Sequence, residues 1–382
     1  MKYIINITII VFFIFWLNFV FADVVNKEYI EIQSPGAIVI DSESGRILYE
    51  KQINEKRPMA SLTKLMTSIL LVQNCELNEI IEVPKEAVGI GGSQVGLKKG
   101  DKVSMKSLLY GMLLPSGNDC AITVAMHIGG TIENFAEMMT NKAKELGAFN
   151  TSFANPHGLD NENHYTTPKD MALIAKEALK NKYINEAMNT ISTTMNFGSF
   201  SKLLNNTNAL LRTYDKADGG KTGFTNGANR CLVASATDEN SRYIAVILGA
   251  DTTNIRFFNA KLLLEESFKR YTKTDISDYL NFYINIPVKK GSIKYYERQY
   301  SSELSIPLTK EEYENIYIKQ YSEPLLVPPL RVGTKVGRIE VLVDDEVLYE
   351  KDVFLEENIY KKTVLDYIKQ GLSNMFKEVE LI

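Results

Sequence analysis

The sequence predicts an α/β domain over residues 28–273, followed by a small all-β domain over residues 275–354. Strand-like runs occur at residues 36–41 and 243–248, and the chain between them has mostly helical periodicity. The second domain is predicted because helical periodicity gives way after about residue 275 to alternation, as in residues 335–343, which is typical of strands. The whole chain has 382 residues, which is long enough for two such domains.

The first 22 residues have the composition of an export signal. A positive Met1-Lys2 pair precedes an apolar run from Ile4 to Phe21, and the small residue Ala22 offers a cleavage site. An uncleaved membrane anchor is the alternative, because the run is nearly long enough to span a bilayer. Both interpretations place the body of the protein outside the cytoplasm, in the periplasm or at the outer face of the cytoplasmic membrane.

The elements of the first domain are predicted from periodicity and from turn residues. Gly45 supplies the permissive backbone of a tight turn between two strands, and Pro58 ends the second of the two runs. Apolar residues at helical spacing then alternate with breaks. The predicted strands are 36–41, 46–51, a run near Leu232 and 243–248, and the predicted helices are 61–72, 106–114, 121–128, 132–146, 168–180 and 259–271.

The end of the chain combines a hairpin with a helix. Asp344-Asp345 interrupts two strand-like runs, 335–343 and 347–354, which predicts a hairpin in the second domain. Residues 355–382 then form an amphipathic pattern. Such a helix can lie on a membrane surface. The pattern alone favours docking on its own domain, because the polar face carries both signs of charge.

Composition excludes several classes of protein. A net charge of −4 without a basic stripe argues against a nucleic-acid partner. The three cysteines cannot all pair with each other and have no metal-ligand spacing, and the three histidines do not form H-E-x-x-H. The sequence therefore predicts neither a metal nor a cofactor. These residues are Cys75, Cys120, Cys231, His127, His157 and His164.

The segment Ser61-Leu-Thr-Lys64 can supply a nucleophile and its base. Residues three apart share a face of a helix, so the Lys64 amine can reach the Ser61 hydroxyl. Ser61 at a helix N-terminus would also offer its N–H to a developing oxyanion. The same spacing occurs at Ser199-Phe-Ser-Lys202, but no apolar helical pattern follows there. We interpret that second copy as a loop or strand edge.

Two further segments supply groups that such a reaction needs. Ser116-Gly-Asn118 follows Pro115, where a loop can project Ser116 to relay a proton and Asn118 to orient Lys64 and the substrate. The run 218–225 is interpreted as a turn entering a strand, with Lys221 and Thr222 holding a carboxylate. Its glycines, among them Gly223, allow a substrate backbone to approach, and the Phe224 N–H can complete an oxyanion hole. Taken singly, each segment is also compatible with an ordinary turn, a helix cap or an exposed lysine.

In this order, S-x-x-K, S-x-N and K-T-G resemble the motifs of penicillin-binding proteins and serine β-lactamases. Longer runs are similar to the low-molecular-weight D-alanyl-D-alanine carboxypeptidases, over about residues 30–272. The runs that carry this resemblance are Pro58–Thr67, Pro115–Ala121, Asn155–Leu159, His164–Thr167 and Asp218–Gly223.

The resemblance implies a β-lactamase/transpeptidase-like fold, an antiparallel sheet flanked by helices, with the small β domain and terminal amphipathic helix after it. It implies that the terminal helix anchors the enzyme to the membrane surface. By the same resemblance, Ser61 is the nucleophile, Lys64 the general base and Ser116 the proton relay. The substrate-binding residues would be Asn118, Lys221, Thr222, Gly223, Phe224 and Arg256; His157 and His164 would structure loops.

One departure from the family pattern follows the K-T-G segment. The family commonly has a glycine and then an aromatic or other side chain before the Cys-Leu pair, whereas Asn229-Arg230 occupies that place here. This strand edge borders the expected substrate groove, so the departure concerns specificity and not the chemistry.

The resemblance implies a serine D-Ala-D-Ala carboxypeptidase that acts on peptidoglycan stem peptides and is acylated by β-lactams. A DD-endopeptidase shares the three motifs. A β-lactamase is disfavoured because no Glu-x-x-x-Asn loop is evident and the β domain would be unexplained. An exported wall-binding protein without activity is disfavoured because Ser61 and Lys64 are both present.

Overall fold

The computed structural model of this protein describes residues 30–368. The predicted export signal, 1–22, lies outside this range, as do residues 369–382 of the predicted terminal helix. Residues 364–368 are helical. Within residues 30–368, no helix is both long enough and apolar enough to cross a membrane.

The strands are numbered in chain order. They are β1 (Gly36–Asp41), β2 (Ile47–Lys51), β3 (Ile80–Glu82), β4 (Lys102–Ser104), β5 (Ser192–Asn196), β6 (Ser201–Asn205), β7 (Ala217–Thr225), β8 (Asn229–Asp238), β9 (Ser241–Ala250), β10 (Thr272–Asp275), β11 (Phe282–Pro287), β12 (Tyr295–Tyr300), β13 (Ser305–Leu308), β14 (Ile316–Ser322), β15 (Lys335–Val343) and β16 (Glu346–Phe354).

The helices are numbered in the same way. They are α1 (Lys64–Asn74), α2 (Met105–Leu113), α3 (Asn118–Gly129), α4 (Ile132–Glu145), α5 (Pro168–Lys180), α6 (Lys182–Asn189), α7 (Leu210–Thr213), α8 (Thr253–Arg270) and α9 (Lys310–Glu314). Short 3₁₀ turns occur at Ala60–Thr63, Lys85–Ala87 and Ser277–Leu280.

The central sheet contains five antiparallel strands in the order β2-β1-β9-β8-β7. Its first two strands and its last three come from opposite ends of the domain, as the sequence predicts. Every residue of β1 is buried, which shows that both faces of the sheet are covered. Ile38 and Ile40 pack into a large helical core together with α5, while α8 packs against β8 and β9. The predicted α/β fold class is therefore confirmed.

The predicted helices of the first domain all form, whereas the terminal helix predicted from residue 355 begins only at Val364. Leu355 and Ile359 are instead buried in the C-terminal cluster, and Ile359 forms a backbone bridge with Leu330.

Two local predictions at the site are also wrong. The helix predicted from Ser61 begins as a 3₁₀ turn, and α1 starts only at Lys64. Ala60 has a φ of 48°, a left-handed conformation through which a right-handed helix cannot run. The turn predicted at the start of 218–225 is instead part of β7, which carries a register shift between Ala217 and Gly219.

The C-terminal region has a separate buried cluster, formed mainly by residues of its strands. Its short helix, α9, contributes no buried residue. Its three-stranded sheet, β14-β15-β16, contains the predicted hairpin. Asp344 and Asp345 both have positive φ, at 48° and 64°, as a tight turn between twisted strands requires. Arg46, next to the first hairpin, donates to the Pro307 carbonyl oxygen and pairs with Glu312. This buried guanidinium group therefore joins β2 to the C-terminal region.

Asp119 fastens an irregular segment to the start of α3. Its carboxylate accepts hydrogen bonds from the backbone N–H groups of Val95, Gly96 and Leu97, at 3.1, 2.8 and 3.1 Å. The Asp119 side chain is buried, with 1% exposure. If the carboxylate were removed, water could not take its place as the acceptor for these three N–H groups.

We predict that Asp119→Ala lowers the free energy of unfolding by about 2–4 kcal/mol, because it leaves three backbone donors without their charged acceptor. Urea unfolding measures this change. The control is Glu137→Ala, which removes an exposed carboxylate from α4 and should cost less than about 0.5 kcal/mol. Equal effects of the two substitutions would contradict the anchoring role.

Candidate active site

The turn that carries Ser61 is held from two sides by close backbone contacts. Gly158 has a φ of 95°, and a Cβ placed on it would lie 1.9 Å from the Ala60 carbonyl oxygen. A Cβ on Gly223 would lie 3.1 Å from the Ser61 nitrogen. The loop that follows Asn155 and the strand β7 therefore enclose the Ser61 backbone, and only glycine permits the approach of Gly158.

Lys64 lies directly beside the Ser61 hydroxyl group. Its Nζ is 2.9 Å from Ser61 Oγ, 2.7 Å from Asn118 Oδ1 and 2.8 Å from the carbonyl oxygen of His157. All three partners are uncharged. Burial, and next the positive charge of Lys221, hold the pKa of Lys64 well below its usual 10.5.

The neutral form of Lys64 fits these three contacts. A neutral amine has two N–H donors, which suit the Asn118 and His157 oxygens, and one lone pair, which is left for the Ser61 hydroxyl proton. The arrangement therefore provides a base within hydrogen-bonding distance of a nucleophile.

A second buried lysine, Lys221, lies on β7. Its Nζ donates to Ser116 Oγ at 2.9 Å and to the Thr222 carbonyl oxygen at 2.8 Å. Burial, and next the charge of Arg256, lower the pKa of Lys221 to about 7. The side chains of Ser116 and Asn118 thus each contact one of the two lysines, although the structure places Asn118 at the first position of α3 and not in the loop.

Ser116 and Asn118 are themselves fixed by the backbone around them. Ser116 has a φ of 68°, a left-handed conformation that turns the chain sharply between α2 and α3. Asn118 donates from its backbone to the Ser93 oxygen at 2.7 Å and from Nδ2 to the Gly91 oxygen at 2.6 Å. These bonds leave Asn118 Oδ1 directed at Lys64.

The remaining predicted residues border the same space. Thr222 is buried, and its Oγ1 lies 2.6 Å from Thr207 Oγ1. Arg256, in the first turn of α8, donates to the carbonyl oxygens of Gly223 and Cys231 at 3.2 and 3.3 Å. Its Nε has no partner within the described chain. Burial lowers the pKa of Arg256 to about 10, which leaves it a cation near neutral pH.

The resemblance implies that His157 and His164 structure loops, and the hydrogen bonds of His164 agree with this role. His164 Nδ1 accepts from the Ala154 N–H at 3.0 Å, so Nε2 carries the proton and donates to Thr63 Oγ1 at 2.7 Å. Thr63 Oγ1 in turn donates to the Ala60 carbonyl oxygen. This chain of bonds fastens the nucleophile turn to the loop that carries His157.

Sequence reasoning missed several contributors. The His157 carbonyl oxygen and the Thr207 hydroxyl belong to no motif, and backbone carbonyls have no signature in a sequence. Asp160 was also missed: its carboxylate accepts from Thr225 Oγ1 at 2.5 Å and from the Gly227 N–H at 3.1 Å. It thereby ties the end of β7 to the loop after His157.

The Asn229-Arg230 departure has a local physical explanation. Asn229 has a φ of 52°, a conformation that glycine adopts without strain and asparagine tolerates better than most residues. Arg230 places its guanidinium group 4.7 Å from the centre of the Phe224 ring.

One group of side chains within residues 30–368 has the composition of a metal site. Ligand atoms of Cys75, Glu79 and His127 lie within 4.8 Å of one another. None of these residues belongs to the site around Ser61.

Comparisons with known proteins agree with this geometry. Residues 23–252 match a family model described as D-alanyl-D-alanine carboxypeptidase, and residues 281–361 match one described as penicillin-binding protein 5, C-terminal domain. The chain is 34% identical to the D-alanyl-D-alanine carboxypeptidase DacF of Bacillus subtilis, over 90% of each chain. It is 34% identical to DacC of Escherichia coli, over 84% and 83%.

Solved structures show the same relationship. Penicillin binding protein 5 from Haemophilus influenzae superposes with a TM-score of 0.74 at 26% identity, covering 87% of this chain and 99% of that one. The D-alanyl-D-alanine carboxypeptidase DacD from Francisella tularensis superposes with a TM-score of 0.69 at 27% identity, covering 89% and 97%.

We predict that the protein loses stability in mild acid through His157 and His164. Burial lowers the pKa of His157 to about 3 and that of His164 to about 4, against 6.5 unfolded. Between these values the unfolded chain binds more protons, so stability falls as the pH falls from about 6.5 to about 4. Each histidine contributes about 1.4 kcal/mol per pH unit.

Urea unfolding from pH 7 to pH 4.5 measures this slope. His164→Gln should reduce the slope, whereas His127→Gln, a change on the surface, should preserve it. A slope that is the same in wild type and His164→Gln would show that the His164 proton is not coupled to folding.

Proposed function

Because this chain belongs to the D-alanyl-D-alanine carboxypeptidase family, we propose that it is a serine carboxypeptidase of peptidoglycan. It removes the terminal D-alanine from stem peptides that end in D-Ala-D-Ala, through an acyl-Ser61 intermediate. The observation that carries this proposal is the buried Lys64 amine, 2.9 Å from Ser61 Oγ, with a pKa lowered by burial and by Lys221.

Substrate binding depends on cations that no carboxylate neutralises. Among residues 30–368, neither Lys221 nor Arg256 has an ion-pair partner within 4 Å, and both are buried. The terminal carboxylate of the peptide is held by Lys221, Thr222 and Arg256. Asn118 positions the amide of the penultimate residue while its Oδ1 holds Lys64.

Acylation begins when Ser61 Oγ attacks the carbonyl carbon of the penultimate D-alanine. Lys64 takes the hydroxyl proton as the C–O bond forms. The backbone N–H groups of Ser61 and Phe224 stabilise the resulting oxyanion. The proximity of Gly223 to the Ser61 nitrogen supports this arrangement, because it brings β7 next to the nucleophile turn.

The tetrahedral intermediate collapses with loss of D-alanine. Ser116 relays the proton from Lys64 to the departing nitrogen, and the C–N bond breaks. Lys221 Nζ lies 2.9 Å from Ser116 Oγ, and its hydrogen bond favours the form of Ser116 that has given up its hydroxyl proton. Lys64 is then neutral again and activates the water that hydrolyses the ester. A β-lactam acylates Ser61 by the same attack on its ring amide.

The domain organisation proposed for this activity has a peptidase domain over 28–273 and a β domain over 275–354. Two separate buried clusters and two family matches, 23–252 and 281–361, support the division. We also propose that the protein is exported and that the terminal helix, which begins at Val364, lies on the membrane surface. In its described part, Val364, Leu365 and Ile368 are exposed, by 75, 68 and 53%.

We predict that Ser61→Ala abolishes D-alanine release from a D-Ala-D-Ala pentapeptide and abolishes covalent labelling by a fluorescent penicillin. Lys64→Arg introduces a permanent positive charge and supplies no base, and should reduce both rates at least about 100-fold. The matched control is Ser199→Ala, which changes the serine of the second S-x-x-K spacing and should leave both rates unchanged.

Release of D-alanine by Ser61→Ala would contradict the proposal. Penicillin labelling at Ser61 without D-alanine release, together with cleavage of crosslinked peptide dimers, would instead support the endopeptidase alternative.

A further inference from the structure

Arg230 is held over an exposed aromatic ring at the end of the site. It pairs with Phe224 across β7 and β8, and its guanidinium carbon lies 4.7 Å from the ring centre. Its Nε donates to Thr253 Oγ1 at 3.1 Å, and one terminal nitrogen donates to the Asp251 carbonyl oxygen at 2.9 Å. The side chain is therefore oriented before any ligand binds.

The positive charge of Arg230 is not neutralised within the described chain. Its two hydrogen-bond acceptors are a hydroxyl and a carbonyl, and no carboxylate of residues 30–368 forms an ion pair with it. A guanidinium group has five N–H donors, so donors remain for a further partner. Arg256 adds a second cation nearby, since the charge of Arg230 contributes to lowering the Arg256 pKa.

The direction of a bound peptide follows from the positions along β7. Gly223 lies beside the Ser61 nitrogen, where the acylated residue must be. Lys221 and Thr222, which precede it, hold the leaving carboxylate. The rest of the peptide therefore runs past Phe224, at about 3.3 Å per residue. Since β7 is an outer strand of the sheet, its edge can receive an extended peptide.

We propose that Phe224 and Arg230 form a subsite that selects the residue preceding D-Ala-D-Ala. This subsite favours an aliphatic side chain that ends in a carboxylate. The Phe224 side chain is 52% exposed and offers a surface for the aliphatic part. The remaining N–H donors of Arg230 bind the carboxylate. The inference rests on the proposed function, because it uses the substrate direction derived there.

Two matched peptides test the subsite. Both have the form acyl-X-D-Ala-D-Ala, and their X side chains have the same length but end in a carboxylate or in the corresponding amide. We expect kcat/KM for D-alanine release to favour the carboxylate by about 5-fold to 10-fold, as for a partly solvated charge-assisted hydrogen bond. Arg230→Gln should bring this ratio to about one.

Further variants separate charge from structure. Arg230→Glu should invert the preference, and Arg230→Lys should retain part of it, because the charge remains but the planar group is lost. Lys289→Gln removes one exposed positive charge from the C-terminal region and should leave the ratio unchanged. A ratio that Arg230→Gln does not alter would overturn the subsite.

A second readout keeps this test separate from the carboxypeptidase proposal. Two penicillins that differ by one side-chain carboxylate acylate Ser61 without any peptide hydrolysis. If neither peptide releases D-alanine, the proposed function fails, and the acylation rates still decide the role of Arg230. A preference for the anionic penicillin that Arg230→Gln removes supports the subsite, and equal effects on both penicillins overturn it.

Discussion

Burial of two lysines in one site, without an ion-pair partner for either among residues 30–368, is the constraint on which the rest of the site depends. A buried ammonium group is costly unless it is paired or gives up its proton. Lys64 meets uncharged oxygens only, so its neutral form is favoured and a base is available to Ser61. Lys221 keeps Lys64 from being a stable cation and, with a pKa of about 7, remains partly charged for an anionic substrate.

The fold maintains this arrangement by bringing distant segments together. The nucleophile turn, the start of α3 and the strand β7 come from residues 61–64, 116–118 and 221–223, and each is fixed by backbone geometry. Gly158 allows a loop to approach the Ala60 carbonyl oxygen, and His164 fastens that loop through Thr63. The large helical core next to the sheet holds these segments in place, so the lysines remain buried without compensating charges.

The sequence predicted the elements whose signals are periodic and the residues whose chemistry is distinctive. The helices of the first domain and the hairpin around Asp344-Asp345 fell in this class, as did the three segments that converge at the site. The 3₁₀ turn at Ser61 was not predictable, because helical periodicity does not distinguish a 3₁₀ first turn from an α-helical one, and alanine gives no sign of the left-handed backbone at Ala60. The His157 carbonyl oxygen and Thr207 were missed since tertiary contacts, not residue type, bring them to Lys64 and Thr222.

The site requires that Lys64 lose its proton more readily than an ordinary lysine, and its side-chain titration tests this directly. NMR of protein labelled with ¹³C at the lysine Cε carbons, with the Lys64 signal assigned by its loss in Lys64→Arg, reports the protonation of that amine. We expect a Lys64 pKa well below 10.5, and a higher value in Lys221→Gln, where the neighbouring charge is absent. A Lys64 signal that titrates near 10.5 would show that burial and Lys221 do not make this amine a base for Ser61.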